Sequence, residues 1–205
     1  VWFIDTATYQ PVKKIDFART PVKIMNNQTK QYFDSFEEKP VEVCFTENGR
    51  YVWITLHNGA CVVVYDTLNS EKNTTEFVST GKKVFIEDVA TGKKVTTYLR
   101  KITVGRTPKI ITHTPDKKYV IVSNWHSKSV SVIDAKTFKV VKTIEVDWVP
   151  RGHACTSDSK RLFVANMAAS TMSLIDLEKL ELVRTFGEVG SKPRHLIMSN
   201  DDKYL

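Results

Sequence analysis

The chain is poor in the residues that usually betray a chemistry. It holds only three cysteines, Cys44, Cys61 and Cys155. That is an odd number with no CxxC pair, which points to neither a disulfide framework nor a zinc site. Cys44 (VEVCFT) and Cys61 (GACVVVYD) alternate with apolar neighbours and read as small buried hydrophobes. No apolar run approaches the ~20 residues of a membrane-spanning helix. Apolar residues nowhere recur with a helical period over a useful length. Catalytic signatures are missing as well. There is no G-x-S-x-G elbow for a serine nucleophile, no CxxCH haem attachment and no D-x-D-x-D-G calcium loop. GEVGSK offers only Gly187, Gly190 and Lys192 toward a phosphate-binding loop, without its spacing.

Charge is present and unbalanced. The formal net charge is +7 and the pI about 9.2, on an ordinary background of 41% hydrophobic and 26% charged residues. The sign favours anionic partners, whether nucleic acid, an acidic polymer, a lipid surface or a small anion. Proteins with no such partner also carry charges of this size, so the sign narrows the partner without requiring one.

The informative feature is a repeat. Pro108 is followed at +8 by Asp116, at +16 by Asn124 and at +26 by Asp134; Pro150 is followed at the same offsets by Asp158, Asn166 and Asp176. The strings PDKKYVIVSNWHSKSVSVID and SDSKRLFVANMAASTMSLID run in one register. A period of about 40 to 45 residues, built of short β-branched and aromatic runs between Gly, Asn, Asp and Lys turns, points to one four-stranded propeller blade per copy.

From the start, VWFID ends on Asp5, which precedes Pro21 by the interval that separates Asp134 from Pro150. Residues 1–21 therefore read as the third and outer strands of a blade. Residues 22–39 lack a clear period and read as an insertion loop with room for a short hairpin. The register resumes at Pro40, with an Asn48-Gly49 hairpin turn and Asp66 at +26; Leu56 stands at +16 where the other copies have Asn. Residues 67–107 exceed what one outer strand needs: LNSEKNTTEF reads as a loop, and KVFIED with VTTYLRKITV as an extra hairpin. Blades follow at 108–149 and 150–192, and another begins at 193–205. The expected fold is all-β, a partial β-propeller of about four four-stranded antiparallel blades, single-domain over 1–205. Its abrupt ends suggest an excerpt, with remaining blades expected from further sequence or another chain; four blades alone would leave unpaired edges.

The repeated residues have structural roles. Proline opens the inner strand, where a missing N–H costs least. Asp or Asn at +8, and Asp at +26, cap turns with their own side chains. Asn at +16 ends the second strand.

With these residues in place, the sequence resembles the YVTN-type β-propeller repeat family, whose blades read P-x-x-hydrophobic-x-x-S-P-D-G-K-x-hydrophobic-Y-V-x-N and then S-x-V-S-V-I-D. PKIITHTPDKKYVIVSNWHSKSVSVID matches almost throughout and PRGHACTSDSKRLFVANMAASTMSLID nearly so. The resemblance is strong over 105–205 and moderate over 40–66, while 22–39 and 67–82 depart from it. It implies a ring of about seven blades and export to the bacterial periplasm or cell surface.

In such a ring, the loop entering the inner strand and the loop between second and third strands open on one face. Arg106, Lys109, Arg151 and Arg194 flank the regular prolines there, and Trp125, His126 and Trp148 occupy the same loops. A basic ring with an aromatic wall suits an anionic or planar ligand; the bland alternative is solvated strand ends and a tryptophan covering a blade edge. His153 and His195 lie at +3 and +2 of their inner strands, so they face opposite ways. The leading expectation is a non-catalytic binding or assembly scaffold of the bacterial cell envelope, taking a protein partner or small anionic ligand at the channel mouth, with no cofactor and no metal. The alternative is a haem- or metal-associated oxidoreductase-type domain using His126, His153 or His195. Single-stranded nucleic-acid binding, with Trp125 and Trp148 as stacking platforms, is open but not favoured.

Overall fold

The computed structural model describes residues 1–26, 28–69 and 77–205. Its strands, in chain order, are β1 (Trp2–Ile4), β2 (Pro11–Phe17), β3 (Pro21–Met25), β4 (Tyr32–Phe36), β5 (Pro40–Thr46), β6 (Tyr51–Leu56), β7 (Cys61–Asp66), β8 (Lys82–Asp88), β9 (Lys94–Thr103), β10 (Pro108–His113), β11 (Tyr119–Asn124), β12 (Ser129–Asp134), β13 (Lys139–Glu145), β14 (Pro150–Cys155), β15 (Arg161–Asn166), β16 (Thr171–Asp176) and β17 (Glu181–Phe186). β10–β13 and β14–β17 are each a four-stranded antiparallel meander, and β5, β6 and β7 begin a third. The fold is all-β, a partial propeller.

Each blade is built by the same local devices. The inner strand pairs its proline with the residue sixteen on, then slips, so that Val43 faces Ile54, Ile111 faces Val122 and His153 faces Val164. Three residues oppose two, a bulge that bends the inner strand in all three copies. The turn after the inner strand is fixed by a carboxylate: Asp116 accepts from Thr114 Oγ1 at 2.5 Å and Lys118 N at 3.0 Å, Asp158 from Thr156 Oγ1 at 2.6 Å and Lys160 N at 3.0 Å. The hairpin into the outer strand has its own rule. Asp5, Asp134 and Asp176 accept backbone N–H bonds from the residues two and three on, and Tyr9, Phe138 and Leu180, four on, are left-handed. Asn26 and Asp88 open the same turn in β3–β4 and β8–β9, closed by left-handed Lys30 and Gly92. One short polar side chain and one positive φ thus specify five hairpins.

The blades stack through their faces. β6, β7, β11 and β12 are buried on both sides because the curled sheet or a neighbouring blade covers each face, and YVIVSN or CVVVYD therefore reads as a continuous apolar run where a half-exposed strand would alternate. Trp53, Val62, Val64 and Ile102 meet Ile111, Val120, Val122 and Ile133 across one boundary. Ile121, Val130, Val132 and Ile144 meet Leu162, Val164 and Ile175 across the next. Each fully buried aliphatic is worth about 1.5–3 kcal/mol, so these seams hold the arc together. The outer strand β17 is exposed along most of its length. Cys44 sits half-buried at the first of these boundaries, and Cys61 is fully buried in a separate cluster with Val52, Ile54 and Val63; burial pushes their thiols up to about 12 and about 11.

Residues 82–103 are where the blade pattern is elaborated. β9 is ten residues long because it does two jobs: Arg100–Thr103 is the outer strand against β7, while Lys94–Leu99 pairs with β8. β8 is an extra strand, and its far edge pairs with β2, so β1-β2-β8-β9-β7-β6-β5 is one curled seven-stranded sheet. Within this curl Ile15, Val84, Ile86 and Leu99 bury against Val52, Ile54 and Val63. The loop read over LNSEKNTTEF, residues 68–77, falls largely outside the described residues.

The segment from Pro193 differs from expectation. No strand forms over 193–205. The blade turn is present, with Asp201 accepting from Ser199 Oγ and Lys203 N, and Gly152 N donates to Arg194 O at 2.9 Å. An inner strand needs a second strand to bond to, and the described residues supply none here.

Candidate functional site

One face of the arc gathers the loops that enter the inner strands and those joining second to third strands. They are tied in pairs: Trp125 N donates to Thr107 O, His126 N to Arg106 O, Met167 N to Val149 O, Ala168 N to Trp148 O and His57 N to Lys39 O. Above them stands the β3–β4 hairpin. Its base is clamped by Lys82 Nζ, 2.6 Å from Glu37 and 3.1 Å from Glu38, and by Thr20, whose N and Oγ1 donate to Glu38 at 3.0 Å. Asn58 Nδ2 ties it from below, donating to Ser35 Oγ and Phe36 O.

Hairpin and blade loops enclose a cleft of about 690 Å³, lined by Ile24, Met25 and Lys30 from the hairpin, His57 and Asn58 from the first blade, and Arg106, Thr107, His126, Trp148 and Val149 from the next two. Among the described residues no carboxylate lines it. Arg106 Nη2 donates to His126 O at 2.9 Å, and Thr107 Oγ1 lies 2.7 Å from His126 Nδ1. Desolvation, and then the Arg106 charge, lower the His126 pKa. Burial is the main cause lowering the His57 pKa, with Lys109 and Lys39 adding to it and the bond to the Pro108 carbonyl opposing. Both imidazoles are therefore neutral at pH 7, and His57 Nδ1–H donates to Pro108 O at 3.2 Å. Trp148 is 56% exposed, with Lys128 Nζ 3.3 Å from its ring centre.

The seven residues singled out in the sequence divide into three groups. Arg106, His126 and Trp148 line the cleft together. Lys109, Trp125 and Arg151 form a second cluster, with Lys109 Nζ 5.8 Å and Arg151 Cζ 5.3 Å from the Trp125 ring centre; His57 packs edge-on to the same ring at 5.5 Å and joins the two. Arg194 is exposed on the terminal segment and enters neither. His153 is also apart. It is buried between blades, Nε2 2.8 Å from Thr112 Oγ1 and Nδ1 2.9 Å from Ser123 Oγ, so both ring nitrogens are engaged and neither is open to a ligand. Among the described residues no group of three His, Cys, Asp or Glu is placed to hold a metal ion.

Sequence reasoning passed over His57, Asn58 and the hairpin's Ile24, Met25 and Lys30. His57 had a signal: it stands at +17 from Pro40, as Trp125 does from Pro108 and Met167 from Pro150. Lys30 belongs to an insertion outside the register, where no offset could find it.

No protein-family model and no curated protein match this chain. Solved structures do. It superposes on hydrazine synthase of Kuenenia stuttgartiensis with a TM-score of 0.59 at 22% identity, covering 88% of this chain and 42% of that one. A putative 6-phosphogluconolactonase of Bacteroides fragilis gives 0.55 at 14%, covering 84% and 49%. The periplasmic gluconolactonase of Pseudomonas aeruginosa gives 0.54 at 15%, covering 81% and 44%. The chain spans less than half the length of each, and at these identities the likeness is one of fold: this chain has the architecture of a β-propeller.

Proposed function

We propose that this chain belongs to a YVTN-type propeller whose mouth binds a small organic anion, and that it serves as a binding module of the bacterial cell envelope. The observation that carries the reading is the charge of the cleft: Lys30 and Arg106 border it beside two neutral imidazoles, and among the described residues no acid lines it. A cationic wall with low-dielectric flanks from Ile24, Met25 and Trp148 concentrates anions, and guanidinium groups hold carboxylate or phosphate oxygens in a fork. The regular turn grammar supports the repeat family. A periplasmic enzyme among the fold neighbours is compatible with the compartment.

A second reading has a specific observation behind it. Two fold neighbours are named as lactonases, and the bond from His57 Nδ1–H leaves Nε2 as a basic nitrogen in a neutral ring, the form a general base needs. Both readings meet one experiment. Melting temperature is measured at low salt with phosphate, citrate, gluconate and 6-phosphogluconate, while acid release from gluconolactone is followed in parallel. A ligand that binds only the folded chain stabilises it by about 2.7 kcal/mol at a hundred times its Kd. The binding reading expects a shift with at least one organic anion that fades with salt, and no turnover. Turnover lost in His57→Gln installs the lactonase reading instead. Flat melting temperatures with no turnover remove both.

A further inference from the structure

Two buried N–H groups beside the cleft have no acceptor. Trp125 Nε1 and Arg151 Nε are both shut off from solvent, and among the described residues neither has a hydrogen-bond partner. A buried donor left unmade costs about 1–3 kcal/mol, and native proteins leave few of them. Here two occur in one cluster, with the Arg151 guanidinium 5.3 Å from the centre of the ring that carries the other. Lys109 Nζ, 5.8 Å from the same ring, adds a second cation. Neither cation forms an ion pair among the described residues; the only polar side-chain partner of Arg151 is the weak acceptor Met167 Sδ, 3.4 Å from Nη1.

We infer that this cluster is an anion subsite: a compact carboxylate or phosphate group occupies it, accepting from Arg151 Nε–H and Trp125 Nε1–H and neutralised by Lys109. The donor inventory decides the sign of the ligand. Indole, guanidinium and ammonium groups donate and cannot accept, so the missing partner is an acceptor. Two positive charges without a counter-charge make that acceptor an anion in preference to a neutral carbonyl. The register explains how the site is assembled. Lys109 and Arg151 hold the same position, one after the inner-strand proline, in adjacent blades, and Trp125 reaches between them from the loop seventeen residues after Pro108. The inference deepens the anion-binding reading of this face, because His57 touches the Trp125 ring on one side and lines the cleft on the other. A ligand with two acidic groups, or one acidic group and a polar body, would engage both.

The test is a titration of the chain with inorganic phosphate and, separately, acetate, followed by the NMR signals of the Trp125 indole N–H (assigned with Trp125→Phe) and the Arg151 Nε–H. The inference expects both signals to move saturably with at least one anion. A response to phosphate alone, to acetate alone or to both supports the subsite and names the group it takes. Arg151→Lys keeps the charge and deletes the Nε donor, and should weaken binding at these signals at least tenfold. If neither signal moves with either anion, or if Arg151→Lys binds as the wild type does, the subsite is overturned. Signals that follow Arg106→Gln while ignoring Arg151→Lys would leave the cleft reading standing and remove this one.

Discussion

Thr112 Oγ1 on β10 lies 2.8 Å from Nε2 of His153 on β14, one blade away. With Ser123 Oγ at 2.9 Å from Nδ1, it holds a buried imidazole between two blades as a hydrogen-bonded pin. Burial pushes the His153 pKa down to about 4. The unfolded chain therefore binds the proton more tightly than the folded one between about pH 6.5 and 4. Stability from this group is full above pH 6.5 and is lost as pH falls toward 4, by about 3 kcal/mol. His153→Gln keeps hydrogen-bonding capacity without titrating. Urea midpoints measured across that window should fall for the wild type and stay flatter for the variant; parallel slopes would contradict the assignment.

The carboxylates act in a lower window. Asp134 is held below the ordinary carboxylate value first by the Thr137 backbone N–H and then by the Thr137 hydroxyl and Lys136 N–H. Its contribution is present above the unfolded value and disappears only as pH falls through the lower folded one. Asp134→Ala should therefore reduce the loss of stability below pH 4 and leave the slope between 6.5 and 4 unchanged.

Gly105 has no room for a side chain. A Cβ there would sit 2.7 Å from Cβ and Cγ of Asn124. Asn124 is fully buried and donates through Nδ2 to Ser129 and Ser131, so it cannot swing away cheaply. Gly105→Ala should cost about 1–3 kcal/mol by overpacking, read as a drop in urea midpoint. An unchanged midpoint would mean that this loop yields more easily than its contacts indicate.

The clamp under the β3–β4 hairpin is an ion pair with little exposure: the Glu38 side chain is 3% accessible and that of Lys82 14%. Burial pushes the Glu38 pKa up, but the Thr20 and Lys82 bonds outweigh it and the net direction is down. Lys82→Met leaves a buried carboxylate unpaired and should cost about 2 kcal/mol, while Lys82→Met with Glu38→Gln should recover part of it. Amide exchange over 21–36 should accelerate in the single variant and slow again in the double. If the single variant exchanges like the wild type, the clamp does not hold the hairpin.

Val149 and Thr107, each just before an inner-strand proline, adopt φ of 55° and 59°. β-branched residues in this region are strained, and both line the cleft. Asparagine tolerates the conformation, so Val149→Asn should raise stability by about 1 kcal/mol. A loss of stability would show that the valine's contacts outweigh its strain.

The repeat made the blades legible. Pro, Asp and Asn at fixed offsets mark turns whose backbone bonds the structure contains, and each strand follows between them. The seven-stranded curl was not legible, because β8 pairs with β2 from beyond β3–β7, and no local pattern encodes a partner about seventy residues away. The site was half legible for the same reason. Arg106, His126 and Trp148 sit in register and converge, whereas Lys30 arrives on an insertion that obeys no offset. Proximity in register also failed to separate Arg106 from Lys109: side chains three residues apart diverge, one lining the cleft and the other lying against Trp125.

The most direct test of the central claim is equilibrium dialysis of the chain against citrate, gluconate and 6-phosphogluconate in turn at low salt, beside Arg106→Gln. The account predicts saturable binding of one ligand that weakens as salt is raised, and at least tenfold lower affinity in the variant. Equal binding by both proteins, or none by either, would contradict it.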